Sequence, residues 1–116
     1  MRHTLDATTS LPDGTRVRLR LPHAADRPEL HALHARLGLH ADELDVARVL
    51  RFDPRRGAVV CATAWTDRGP LVVGYGAIAH GGAHPEVLVA DEARAPGLSE
   101  VLGDVLRRRA AERPAA

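Results

Sequence analysis

The sequence predicts an α/β (α+β) domain, a mixed sheet flanked by helices in the order β-α-α-β-β-β-α. Three observations carry that prediction. In Arg16-Val17-Arg18-Leu19-Arg20-Leu21 apolar residues alternate strictly with arginine, the period of a strand with one wet face. Ala58–Trp65 and Leu71–Ala79 are long apolar runs joined by Asp67-Arg68-Gly69-Pro70, which has the chemistry of a hairpin loop. Leu98, Val101, Leu102, Val105, Leu106 and Arg109 fall at helical spacing, and all but the last are apolar, so they mark one buried helix face.

The elements follow in chain order. Nothing in Met1–Leu11 repeats with a strand or helix period, so residues 1–14 are expected to be a mobile tail and residues 15–113 a single domain. Pro12-Asp13-Gly14 supplies a turn between the two. Asp26, followed by Pro28 and Glu29, reads as an N-cap; Leu30, Leu33 and Leu37 mark the inner face of a first helix that Gly38 stops. A second helix is expected over Asp42–Arg51, broken by Pro54-Arg55-Arg56-Gly57. After the hairpin, His80–Pro85 reads as a loop and Glu86–Ala90 as a short strand.

Composition narrows the function. A chain of 116 residues, 45% hydrophobic and 27% charged, has the material for one core. The longest apolar stretch, Leu71–Ala79, is too short to cross a bilayer and is interrupted by Gly74 and Gly76. The first residues are polar and carry no leader pattern, so the expectation is a cytoplasmic protein with no membrane partner. Every basic residue is arginine, which reads as the coding bias of a GC-rich genome. A net charge of +1 and only Phe52, Trp65 and Tyr75 as aromatics argue against a nucleic-acid partner. Cys61 is the single cysteine, which excludes an internal disulfide and a multi-cysteine zinc site; within an apolar run it reads as an inert packed thiol.

The chemistry concentrates where the last strand passes into the last helix, Val89–Ser99. A helix that starts among small residues presents unpaired amides at the positive end of its dipole, and Gly97 lets an anion approach the backbone closely. Arg94-x-x-Gly97-x-Ser99, with Val89 eight residues before the glycine, resembles the Gln/Arg-x-x-Gly-x-Gly/Ala phosphate loop of the GNAT N-acetyltransferase superfamily. The element order resembles that family as well. The resemblance implies acetyl-CoA as co-substrate and direct transfer of its acetyl group to an amine acceptor whose identity stays open. It implies a phosphate site at Arg94, Ala95, Gly97, Leu98 and Ser99, with the pantetheine arm beside Leu88 and Val89. A backbone N–H near Val89 would polarise the thioester carbonyl. Glu86, on the same strand, is the carboxylate best placed as a general base, although its plainer reading, and the one the residue favours, is a strand-end glutamate facing water.

The chain departs from the family at three points. Pro96 has no N–H to offer phosphate, and Glu100 puts a negative charge in the first helical turn. The family's later strands, which wall the far side of the cleft and often bring a tyrosine to protonate the leaving thiolate, find no counterpart after the last helix, and Tyr75 lies in the hairpin. The alternative function is therefore a non-catalytic GNAT-derived interaction or dimerisation module that no longer binds CoA. Either way Glu86–Ala90 is expected at a sheet edge, covered in a homodimer by strand pairing or by the last helix.

The remaining polar residues have plainer readings. His31 and His34 are expected as partly exposed helix histidines, without a metal. His80 and His84 read as a solvated loop pair, with a proton relay as the alternative. Ser10 and Ser99 give no support for a hydrolase triad, and Arg107-Arg108-Arg109 complements the dipole of the last helix.

Overall fold

A computed structural model describes residues 6–36, 46–51, 57–67, 69–79, 84–89 and 97–111. Its elements are β1 (Asp6–Ser10), β2 (Arg16–Arg20), a 3-10 turn (Ala24–Asp26), α1 (Arg27–Arg36), α2 (Val46–Leu50), β3 (Gly57–Thr66), β4 (Gly69–Ala79), β5 (Glu86–Val89) and α3 (Leu98–Ala111). The strands form one sheet in the order β1-β2-β3-β4-β5. Where a mixed sheet is expected, the described part is antiparallel at every pairing. The chain reverses at each step, even between β2 and β3, where α1 and α2 lie in the connection. Among the described strands β5 ends the order, the position the sequence leads one to expect.

The expected tail contains a strand. Asp6–Ser10 pairs with β2 from Asp6↔Arg20 to Ser10↔Arg16, and its five residues bury almost nothing. A backbone ladder and an Asp6–Arg18 ion pair at 2.7 Å hold it, so no apolar alternation announces it. The turn that follows is tight: Leu11 N–H donates to the Thr15 carbonyl at 2.8 Å, and Gly14, at φ 91°, donates to the Leu11 carbonyl at 2.8 Å. Leu11 itself is buried in the core, outside the domain boundary that the sequence suggests.

Strand alternation divides the apolar residues between the two faces. Val17, Leu19, Ala58, Val60, Ala62 and Ile78 face α3, which inserts Leu98, Leu102, Val105 and Leu106. Val59, Cys61, Val72 and Tyr75 face α1 and α2, which contribute Leu30, Leu33, Val46 and Val49. On the α3 side glycine makes the contact close. A Cβ at Gly74 would stand 3.2 Å from Leu102 Cδ1, and one at Gly76 would stand 3.0 Å from Leu106 Cδ1 and 2.6 Å from the Glu86 carbonyl.

A bulge lies between these regions. The β3–β4 register passes from Ala62↔Gly74 to Thr63↔Val72 and skips Val73. The Val72 N–H donates to Glu29 Oε2 at 2.8 Å, which ties the first turn of α1 to β4. Asp26 behaves differently from the N-cap expected. It closes the 3-10 turn before α1, and its carboxylate accepts two bonds from Arg20 at 2.8 Å and one from the His23 N–H at 2.7 Å. A nearby guanidinium offers a buried carboxylate more than a helix-end amide does.

Candidate functional site at the β5–α3 junction

The described part of the candidate site is β5 with the first turn of α3. Ala90–Pro96, and with them Arg94 and Ala95, lie outside the described residues, as does His80. Gly97 adopts φ 85°, which L side chains rarely take, and a Cβ there would stand 3.3 Å from Pro12 Cδ. Glycine is thus required by the turn and by the Leu11–Thr15 turn packed against it. The Gly97 carbonyl accepts the Val101 N–H at 3.1 Å, which opens the helix. The amides of Leu98, Ser99 and Glu100 precede that bond and have no carbonyl within the helix to satisfy them.

The side chains around these amides divide sharply. Leu98 is fully buried in the α3-side core, so only its backbone can meet a ligand, whereas Ser99 is half-buried and Glu100 exposed. On β5, Val87 and Val89 pack toward α3 and Leu88 toward α1, all three half-buried. Glu86 pairs in register with Ala77 and is exposed, and among the described residues nothing hydrogen-bonds or ion-pairs with its carboxylate. His84, two residues earlier, is exposed too.

Other polar residues sit elsewhere. Tyr75 is fully buried, and its hydroxyl shares a hydrogen bond with His34 Nε2, the rings meeting edge-on at 5.7 Å and 62°. His34 is therefore not a partly exposed histidine: it is 7% exposed and turned into the core, while His31 on the same helix is exposed. Sequence reasoning missed this pair because its members are 41 residues apart. Cys61 is fully buried, and burial pushes its thiol up to about 12, so it stays protonated as expected for a packed cysteine. The Arg20 guanidinium holds the Asp26 carboxyl below the usual carboxylate range. Among the described residues no group of His, Cys, Asp and Glu could hold a metal, and no helix is long and apolar enough to cross a membrane.

No protein-family model matches the chain, and no curated protein matches it by sequence. Among solved structures the fold is similar to the GNAT domain of S. lividans PAT, seen in a crystal structure. The TM-score is 0.66 at 20% sequence identity, over 93% of this chain and 73% of that one. The chain has a GNAT-like fold.

Proposed function

We propose that the β5–α3 junction is an acyl-CoA site and that the chain is an N-acetyltransferase acting on an amine. The observation that carries this reading is the start of α3. Within a GNAT-like fold it offers three amides that have no carbonyl acceptor inside the helix, at Leu98, Ser99 and Glu100, behind a glycine at φ 85°. The described residues offer a pyrophosphate their backbone, because Leu98 points into the core and Ser99 is small, while the exposed Glu100 carboxylate is the group in this turn that opposes an anion. The pantetheine arm would lie along Leu88 and Val89, and Glu86, exposed at the start of β5, would take the proton from the attacking amine. The reaction is direct attack of nitrogen on the thioester carbonyl, with the acetyl group passing to the amine and the thiol leaving.

One observation favours a second reading. Tyr75 is sealed in the core against His34, so the single tyrosine has no access to a leaving thiolate. A non-catalytic GNAT-derived interaction module is consistent with that, and loss of CoA binding would complete the reading.

Calorimetric titration with acetyl-CoA separates the two. Saturable binding is expected, and Ser99→Glu is expected to weaken it at least about tenfold without lowering the melting temperature. An acid in the first helical turn suits the dipole but repels pyrophosphate. No heat at about 1 mM ligand would leave the interaction module as the function.

A further inference from the structure

The tip of the β3–β4 hairpin carries an apolar side chain that the fold does not cover. Trp65 is 80% exposed, and Pro70, its partner in the register, is exposed as well. By strand alternation Trp65 stands on the side of Cys61 and Thr63, one step beyond the last of these that the core buries. On the neighbouring strand Arg16 lies one step beyond the Val17↔Ala64 pair, which sets it beside Trp65 on that same side.

The charges around Trp65 are unmatched in a particular way. β2 presents three arginines on this side, and two have a dedicated carboxylate. Arg18 is bidentate to Asp6 at 2.8 and 2.7 Å, and Arg20 is bidentate to Asp26 at 2.8 Å. Among the described residues Arg16 has no carboxylate, and Asp67, exposed at the turn two residues after Trp65, has no cation. Among the described residues, then, Trp65 has a positive group without a carboxylate on the neighbouring strand and a negative group without a cation at the turn that follows it.

We infer that this patch is an interface between two copies of the chain, related by a twofold axis through the Trp65 pair. A twofold contact requires a self-complementary surface, in which Arg16 of each copy meets Asp67 of the other while the indoles bury one another. An acidic peptide would satisfy Arg16 and be repelled by Asp67, and a basic one the reverse; a second copy answers both. The outer edge of β5 is the weaker candidate for a dimer contact, with four residues and an exposed glutamate at its start.

Trp65 is the single tryptophan, so its emission reports on this patch alone. The test follows the mass of the full chain by sedimentation velocity, and acrylamide quenching of Trp65, from about 1 to about 500 µM. The expected result is a rise to dimer mass with one midpoint for both signals, the emission moving to the blue and quenching falling at least about twofold on the same curve. Trp65→Ala and Arg16→Glu should each weaken the dimer at least about tenfold. Adding Asp67→Arg to Arg16→Glu should restore it to within about threefold, because the swap preserves complementarity. These side chains are exposed, so the variants keep the parent's melting temperature. A monomer at every concentration overturns the inference. So does a dimer in which Trp65 stays fully quenchable, as it would if the β5 edge made the contact, or a charge swap that restores nothing.

Discussion

The two faces of the sheet are built by different physics. Toward α3 the buried side chains among the described residues are aliphatic, and the fit depends on shape, with Gly74 and Gly76 opening the slots that Leu102 and Leu106 fill. Toward α1 the core includes Tyr75 and Cys61, and three directional contacts fix the helix. They are Arg20 to Asp26 just ahead of it, the Val72 N–H to Glu29, and His34 with Tyr75. The helix that bears the proposed phosphate site is therefore seated, among the described residues, on aliphatic packing. The α1 layer, in contrast, depends on an ionised carboxylate.

The sharpest way to break this contrast is to fill a slot on the α3 side. A Cβ at Gly76 meets the Glu86 carbonyl at 2.6 Å, Leu106 Cδ1 at 3.0 Å and Val87 Cγ2 at 3.1 Å, so β5 and α3 must both move to admit one. Gly76→Val is expected to cost about 3 kcal/mol in urea denaturation, and to cost the same at pH 7 and pH 4. A loss below about 1 kcal/mol would mean that α3 is not seated by close packing.

On the other face the effect is smaller and depends on pH. Asp26→Asn leaves Arg20 facing a neutral amide, at a cost of about 2 kcal/mol at pH 7. That is less than for a sealed pair, because the two side chains keep 18% and 11% of their exposure. The Asp26 carboxyl titrates below its usual value of 3.8 in the folded protein. Its contribution is then complete above the unfolded value and is lost as pH falls through the lower, folded one. The gap between parent and variant should accordingly start to narrow below about pH 4 and close as pH falls through the folded value. A difference that persists unchanged into acid would show that Asp26 acts through shape and not through charge.

How much of this could be read from the chain follows the same division. The α3 face was legible because aliphatic periodicity is a local signal: the stripe from Leu98 to Leu106 and the strands β3 and β4 lie where the pattern puts them. Gly97 stood out in the sequence for the approach of an anion, whereas the reasons the fold supplies are its φ of 85° and the packing of Pro12. Nothing local says that Pro12 would pack against Gly97. The α1 face was misread wherever a polar side chain chose a distant partner. Asp26 can cap a helix or reach Arg20, and the sequence reads alike in both cases. His34 looks like a surface histidine until the fold brings Tyr75 beneath it. β1 has no pattern at all, since an edge strand held by its ladder has no need of one.

The smallest expected effect tests whether the two faces open separately. Glu29→Ala removes the acceptor of the Val72 N–H at the bulge, at a cost of about 1 kcal/mol. Cys61 lies beneath α1, fully buried and with its thiol pushed up to about 12, so a thiol reagent at pH 8 can reach it only when that layer opens. If α1 and α2 lift away while α3 stays seated, Glu29→Ala should speed Cys61 labelling about fivefold, the factor that 1 kcal/mol confers. Gly76→Val should then speed it only as far as global unfolding contributes. If labelling instead follows global stability in both variants, the faces melt together and the contrast between them ends at the native state. The shape-fitted side would then be no refuge for the proposed site once acid has loosened Asp26, and acetyl-CoA binding should fall off over the same pH range as the α1 layer.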